Sequence, residues 1–228
     1  MIEIVSKWSQ DALLHVLKMH EVAPRLGELL GDGAVKVCYI YRDLRDVAAS
    51  AKRALGHRGE ELFDYLADAV AHNQALMAHY ASQSHGMLWQ RYEDVYADLR
   101  GAIQDTAQFL GLPENQCAID DVYRECSLGA TSKIMDGARD QLERHVAALR
   151  KVDPKTAARF LREIRRSGGG ETRVWRDPEW LMHYNHISRD KGAPGAWAKS
   201  LTAAEISAIH DRFGIWLASN GYSTSTSS

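Results

Sequence analysis

The residues best suited to bind an anion lie in one short segment, Tyr41-Arg-Asp-Leu-Arg-Asp-Val-Ala-Ala-Ser50. The segment follows the run Val35–Tyr41, whose β-branched and aromatic residues predict a central parallel strand. In open α/β sheets, ligands bind at the carboxyl ends of strands, where the next helix points its free N–H groups. We therefore expect Arg42 at the mouth of an anion site and Ser50 about two turns into the following helix. A guanidinium and a hydroxyl in this arrangement suit a phosphate.

The same spacing also allows a structural role for Arg42. Its guanidinium could simply pair with Asp43 or Asp46 at the start of the helix, as many surface ion pairs do. Spacing alone favours neither interpretation, so both remain open at this point.

Strands alternate with helices along the chain, and this order predicts an α/β fold. Two further strands are expected at Leu13–Leu17 and Met87–Arg91. The predicted helices are marked by apolar residues at helical spacing and by their caps. They cover a stripe from Leu62 to Tyr80, a helix from an Asp94 cap to a Gly111 stop, a helix opened by Asp153-Pro154, and a helix from the capping box Thr202–Glu205 to about Asn220. The basic, helical region from about 120 to 176 could form a cap over the site.

Composition limits the classes of function. The chain has 228 residues, of which 45% are hydrophobic, and a formal net charge of −2, so broad nucleic-acid binding is not expected. Cys38, Cys117 and Cys126 form no C-x-x-C pair, and the pair His183/His186 has no carboxylate or thiolate constellation, so neither a disulfide scaffold nor a metal site is predicted. No run of 18 apolar residues and no secretory signal occur. We expect a cytoplasmic protein without a membrane partner.

Four segments, taken together, resemble one enzyme family. Val37–Ser50 resembles the 3′-phosphate-binding motif of sulfotransferases that use 3′-phosphoadenosine 5′-phosphosulfate (PAPS). Leu17-Lys-Met-His20 resembles the strand-end Lys-x-His segment of that family. Gln90–Asp94, followed by Phe109–Pro113, resembles its Arg-Tyr-Glu-Asp helix ending in Phe-Leu-Gly-Leu-Pro, and Arg189–Trp197 resembles its closing Arg-Lys-Gly-x-x-Gly-x-Trp loop. The segments occur in the family's order.

The resemblance implies a fold and a set of domain boundaries. It implies a three-layer α/β protein with a central parallel sheet flanked by helices, like that of P-loop proteins. A single sulfotransferase-like domain is expected over residues 1–222, followed by a flexible tail at 223–228.

The resemblance also implies roles for particular residues. The 3′-phosphate would be held by Arg42 and Ser50 and by the late loop, and the adenine by Tyr92. His20 would be the general base that takes a proton from an acceptor hydroxyl or amine, a role suited to its ordinary pKa near 6.5. Lys18 would stabilise charge around the transferring group. The remaining cofactor-binding residues would be Arg189, Lys191 and Gly192 of the late loop, with Thr131 and Ser132 as further candidates for the adenine.

One family element has no clear counterpart. Members begin with a strand and a glycine-containing loop, approximately Pro-Lys-Ser-Gly-Thr-Thr-Trp, that wraps the 5′-phosphosulfate, and Ser6–Ser9 imitates it only without the glycine. An N-terminally truncated or naturally reduced form would explain this, and a missing strand could be replaced by another copy of the chain. The sequence therefore predicts a sulfotransferase acting on a small-molecule acceptor. The alternatives are an inactive nucleotide- or partner-binding relative and, last, a phosphoryl-transfer enzyme, for which no G-x-x-x-x-G-K-[ST] motif occurs.

Overall fold

The computed structural model describes residues 35–80, 86–113, 115–166 and 192–224, apart from the side chains of residues 79, 80 and 163–166. Strands and helices follow one another along these segments. In chain order they are β1 (Val37–Tyr41), α1 (Leu44–Ala54), α2 (Gly59–Tyr80), β2 (Met87–Arg91), α3 (Tyr92–Ala97), α4 (Leu99–Leu110), α5 (Gln116–Cys126), α6 (Leu128–Val152), α7 (Pro154–Arg166), a 3₁₀ turn (Ala196–Lys199) and α8 (Ala203–Ser219).

The two strands form a parallel pair. Val37 lies opposite Met87 and Tyr41 lies opposite Arg91, so both strands end at the same edge. The connection between them runs through α1 and α2, as a parallel crossover requires. The predicted strand at 87–91 is confirmed, β1 begins two residues later than predicted, and the strand predicted at Leu13–Leu17 lies outside the described residues.

The main core lies between α1, α2 and α8. It contains Leu44 and Ala48 of α1, Leu62 and Leu66 of α2, and Ile209 and Leu217 of α8, all 2% exposed or less. These residues recur at helical spacing, and the predicted stripe of α2 and the predicted capping box of α8 are confirmed. The core therefore fixes α1, which begins directly after β1, against the C-terminal helix.

The predicted helix from Asp94 to Gly111 is divided into two helices. The first begins at Tyr92, before the expected Asp94 cap, and ends at Ala97. Asp98 adopts a non-helical conformation and its carboxylate accepts a hydrogen bond from the Gly101 N–H at 2.9 Å. A short acidic side chain that binds its own backbone competes with helix continuation, so Asp98 ends α3 and caps α4. Gly111 closes α4 in the left-handed conformation, as predicted.

The helices after Asn115 form a separate stack. α5 packs on α4, α6 packs on α5, and α7 folds back on α6, where Leu142 and Val146 meet Phe160 and Leu161. Asp153 opens α7 by accepting backbone hydrogen bonds from Lys155 and Thr156, as the sequence predicts. Along the segments given above, no helix is long and apolar enough to cross a membrane.

Candidate functional site

The carboxyl ends of the two strands bring together side chains that are distant in the sequence. Arg42 directly follows β1, and Tyr92 directly follows β2 as the first residue of α3. The register Tyr41 to Arg91 places these residues at the same edge of the sheet. Gly192 of the late loop completes the group, because both side chains donate hydrogen bonds to its carbonyl oxygen.

Arg42 is held on several sides. Its Nη2 donates to the carbonyl oxygen of Gly192 at 3.0 Å and lies 3.4 Å from a carboxylate oxygen of Asp46. Its Cζ lies 4.1 Å from the centre of the Tyr92 ring, a cation–π contact. Of the two pairings considered from the sequence, the structure shows the one with Asp46, while Asp43 pairs with Arg45. The Nε of Arg42 is buried and has no hydrogen-bond partner within the described segments.

Tyr92 and Gly192 fit each other closely. The Tyr92 hydroxyl donates to the Gly192 carbonyl oxygen at 2.9 Å, and burial raises the pKa of this phenol although Arg42 opposes the change. The hydroxyl therefore stays protonated at neutral pH and remains a donor. Gly192 has a φ of +74°, and a Cβ built on it would lie 2.6 Å from the Tyr92 hydroxyl oxygen. Only glycine suits both the conformation and the space.

Asp46 joins α1 to the late loop. Asp46 is only 3% exposed. Its carboxylate accepts hydrogen bonds from the backbone N–H of Gly195 at 2.8 Å and of Trp197 at 3.0 Å. A second connection lies at the other end of α1, where Lys52 donates to Glu205 at 2.7 Å. The first turn of α1 is thus attached to the late loop, and its last turn is attached to the first turn of α8.

A second arginine lies beneath the loop. Arg45 is 5% exposed, pairs with Asp43 at 2.7 Å, and has its Cζ 4.3 Å from the centre of the Trp197 ring. Its Nη1 donates to the Ser223 carbonyl oxygen at 3.0 Å and lies 3.3 Å from the Nε2 of His210. Since a guanidinium can only donate, that histidine nitrogen is the acceptor. Each of the three side-chain nitrogens of Arg45 has a protein partner, so Arg45 serves the architecture of the site.

Glu93 connects the ends of the two strands. One carboxylate oxygen accepts the backbone N–H of Asp43 at 3.2 Å, and the other accepts the Tyr222 hydroxyl at 2.8 Å. Burial and the neighbouring Glu93 raise the pKa of Tyr222, so its hydroxyl remains a donor at any ordinary pH. Arg91 stacks on the Tyr222 ring with its Cζ 4.4 Å from the centre. This contact holds the C-terminal segment against the end of β2.

The predicted site residues divide into three groups. Arg42, Tyr92 and Gly192 come together in the structure. Ser50 lies in α1 with its side chain exposed, eight residues beyond Arg42. Thr131 and Ser132 lie near the start of α6, where the Thr131 hydroxyl donates to the Ser127 carbonyl oxygen. The other predicted residues, Lys18, His20, Arg189 and Lys191, lie outside the described residues.

The chemistry of the described residues fits a phosphate group. The buried Nε of Arg42 is a donor that no described protein group uses, and the Ser50 hydroxyl on the same helix is exposed. The absence of a Cβ on Gly192 makes room for the Tyr92 hydroxyl, which holds the loop backbone beside Arg42. Asp46 offsets part of the positive charge of Arg42, so a dianionic ligand would need further cations.

Sequence reasoning considered Asp43 and Asp46 only as partners of Arg42, and it overlooked the contacts of Asp46 with the late loop and those of Glu93. The segment Arg42-Asp-Leu-Arg-Asp46 contains two arginines and two aspartates, and its helical spacing allows either arginine to be the ligand-facing one. The structure pairs Arg45 internally and leaves the buried Nε of Arg42 without a partner among the described residues. Glu93 and Tyr222 lie too far apart in the sequence for any local signal to have joined them.

More than half of the chain matches one protein family. Residues 5–135, more than half of the chain, match the model of the sulfotransferase domain. The match includes β1, α1, β2 and α3, and therefore Arg42, Ser50 and Tyr92, whereas Gly192 lies beyond it. No curated protein and no solved structure shows a significant match to the chain. The two parallel strands with their intervening helices agree with an α/β fold, and the chain belongs to the sulfotransferase domain family.

Proposed function

We propose that this protein is a PAPS-dependent sulfotransferase that transfers a sulfuryl group to a hydroxyl or amine of a small-molecule acceptor. The observation that carries the proposal is the convergence of Arg42, Tyr92 and Gly192 at the carboxyl ends of two parallel strands. This is the edge of an α/β sheet where nucleotides bind.

In this proposal the 3′-phosphate binds between α1 and the late loop. Arg42 supplies the cation and Ser50 a neutral hydroxyl, while backbone N–H groups near Gly192 are further donors. Lys191 and Arg189 precede Gly192 in the sequence and supply the additional positive charge that the Arg42–Asp46 pair makes necessary. Tyr92 contacts the adenine with the part of its ring that Arg42 does not cover, and Thr131 or Ser132 are further candidates for that contact.

The proposed reaction uses residues of the N-terminal segment. The bound nucleotide supplies the activated sulfuryl group, and adenosine 3′,5′-bisphosphate is the product that leaves. His20 takes the proton from the acceptor as its oxygen or nitrogen forms a bond to sulfur, while the bond from sulfur to the bridging phosphate oxygen breaks. Lys18 stabilises the negative charge that develops on that oxygen. No step requires a metal.

The proposal extends to the architecture. We propose a single domain over residues 1–222, with further strands completing a three-layer structure around β1 and β2, and a cytoplasmic location. The stack of α5, α6 and α7 corresponds to the helical region expected at about 120–176, for which we propose a role in covering the acceptor. If the additional strands come from a second copy, the active form is a homo-oligomer.

A second candidate keeps the fold without the catalysis. The guanidinium of Arg42 already contacts three protein groups, on Asp46, Gly192 and Tyr92. A purely structural arginine would make the same contacts. This favours an inactive nucleotide- or partner-binding relative.

Calorimetric titration separates these two functions. We expect adenosine 3′,5′-bisphosphate to bind the full chain more tightly than 5′-AMP, and Arg42→Ala to abolish the difference. Arg53→Ala, an exposed arginine on the same helix, is the matched control and should bind like the wild type. If the folded wild type binds neither nucleotide, the proposed function is wrong.

Turnover measurements then test the division of roles. We expect His20→Ala to abolish sulfuryl transfer while nucleotide affinity stays nearly unchanged. A His20→Ala variant that loses nucleotide binding would contradict the assignment of His20 as the base. Normal binding with no turnover by the wild type, over a broad panel of hydroxyl and amine acceptors, would favour the inactive relative.

A further inference from the structure

The buried carboxylate of Asp46 has no role in the proposed chemistry, yet it is surrounded by donors from two distant parts of the chain. One oxygen accepts the Trp197 N–H at 3.0 Å, and the other accepts the Gly195 N–H at 2.8 Å and lies 3.4 Å from Nη2 of Arg42. The residue is 3% exposed. Burying a charged carboxylate is unfavourable unless its oxygens are hydrogen-bonded. The hydrogen bonds from the loop are therefore needed to keep Asp46 buried.

The partners of Asp46 belong to the loop that carries Gly192. Gly192 and Gly195 both have positive φ angles, of +74° and +79°, and a 3₁₀ turn follows from Ala196 to Lys199. The backbone of this loop therefore changes direction twice within a few residues. Two N–H donors fixed to one carboxylate determine where the loop lies against α1.

We infer that Asp46 is a positioning residue: it docks the loop 192–197 on the first turn of α1 and thereby places Gly192 beside Arg42. The inference rests on the proposed function, since the position it sets is that of the 3′-phosphate site. Asp46 does not touch the reacting atoms. It acts through Arg42, whose guanidinium it orients, and through the loop backbone.

The chemistry predicts that asparagine cannot replace Asp46. An amide side chain offers one acceptor oxygen and one NH₂ group, whereas the site presents two N–H donors and a guanidinium. In either orientation of the amide, its NH₂ would face another donor. The shape of the residue is kept while one hydrogen bond to the loop is lost, so Asp46→Asn is a sharp test.

The first measurement uses hydrogen exchange on the full chain without nucleotide. In Asp46→Asn we expect the Gly195 and Trp197 amides to exchange at least about tenfold faster than in the wild type, while amides of α6 are unchanged. Asp140→Asn, the same substitution at an exposed position of α6, should exchange like the wild type. Wild-type exchange rates in Asp46→Asn would overturn the inference.

The second measurement is nucleotide binding to the same proteins. We expect Asp46→Asn to bind adenosine 3′,5′-bisphosphate at least about tenfold more weakly, because the displacement of the loop outweighs the removal of a negative charge beside Arg42. Binding of 5′-AMP should stay within about twofold of the wild type. A general loss of structure would weaken both ligands equally. Faster loop exchange with unchanged affinity for the bisphosphate would overturn the positioning role.

Two further comparisons keep the test decisive. If Asp46→Asn does not fold, Gly195→Ala strains the loop at its positive φ without altering α1, and we expect the same two effects. Lys52→Ala breaks the contact at the other end of α1 and should leave the preference for the bisphosphate intact. If the wild type binds no nucleotide, the proposed function fails, whereas the exchange rates still decide whether Asp46 docks the loop.

Discussion

The hydroxyl of Tyr92 and the carbonyl oxygen of Gly192 lie 2.9 Å apart, although the two residues are separated by 100 positions in the chain. The contact joins the first residue of the helix after β2 to the late loop. It leaves no room for a side chain on the glycine. One methyl group added to Gly192 should therefore be enough to displace the loop.

The first prediction concerns that methyl group. Gly192→Ala combines a strained positive φ with a Cβ 2.6 Å from the Tyr92 oxygen, and we expect it to lower the free energy of unfolding by about 1–3 kcal/mol. Urea denaturation measures the change. Gly137→Ala is the matched control, because Gly137 lies within α6 with open space where the alanine methyl would lie, and alanine there should stabilise the protein by about 0.5–1 kcal/mol. Removing the oxygen with Tyr92→Phe should restore part of the stability of Gly192→Ala, and no restoration would contradict the proposed clash.

The second prediction concerns the exposed hydroxyl of Ser50. Ser50→Ala should change the unfolding free energy by less than about 0.5 kcal/mol, because the side chain is exposed. A lost neutral hydrogen bond of about 0.5–1.5 kcal/mol should weaken binding of adenosine 3′,5′-bisphosphate about two- to tenfold, with 5′-AMP unaffected. Calorimetry on Ser50→Ala and on Ser207→Ala, an exposed serine of α8, provides the comparison. Equal affinities in the two variants would remove Ser50 from the site.

The third prediction concerns a polar pair in the core. The Trp216 indole N–H donates to the side-chain oxygen of Asn73 at 2.9 Å, and Asn73 is 2% exposed. Asn73→Ala leaves this buried donor without a partner, and we expect a loss of about 1–3 kcal/mol in unfolding free energy. Trp216→Phe removes the donor, so Asn73→Ala should cost less in that background. Strict additivity of the two substitutions in a double-mutant cycle would show that the hydrogen bond contributes nothing.

The fourth prediction concerns the pH dependence of stability. Burial acts to raise the pKa of Glu205, but hydrogen bonds from Lys52 and Thr202 outweigh it and hold the pKa below the ordinary value of 4.5. A carboxyl whose pKa is lower in the folded state than in the unfolded state contributes stability above pH 4.5. This contribution is lost as the pH falls through the pKa of the folded state. The stability difference between the wild type and Glu205→Gln should therefore be constant above about pH 5.5 and shrink toward about pH 3.

The control for this prediction is Glu143→Gln, since Glu143 is an exposed residue of α6. Its stability should run parallel to that of the wild type over the same range. A wild-type advantage over Glu205→Gln that grows on acidification would show that the sign of the effect is wrong.

Local patterns in the sequence predicted much of the fold. The capping box at Thr202, the Asp153 cap and the glycine stop at Gly111 are interactions within a few residues, and all three are confirmed. The break at Asp98 was missed because apolar spacing continues across it, while one side-chain hydrogen bond to Gly101 decides the geometry.

The candidate site was predictable only in part. Arg42 was predicted from its position directly after a strand, and Tyr92 and Gly192 were predicted through family resemblance. The structure brings these three together. The pairing of Arg45 with Asp43 and of Arg42 with Asp46 depends on which helix face meets the late loop, and this is a long-range property. The same holds for Glu93 and Tyr222, whose contact spans most of the described chain.

The direct junction between β2 and α3 has a consequence for how this protein can vary. Arg91 is both the last residue of the strand and the residue at the N-cap position of the helix, so no loop separates them. One inserted residue would rotate the start of α3 by about 100° and turn Tyr92 and Glu93 away from their partners. The connection from Leu55 to Arg58, by contrast, is a turn between two helices where a change of length would leave the strand ends in place. An insertion or deletion next to Arg91 should therefore disrupt the site as much as a substitution of Tyr92 or Glu93.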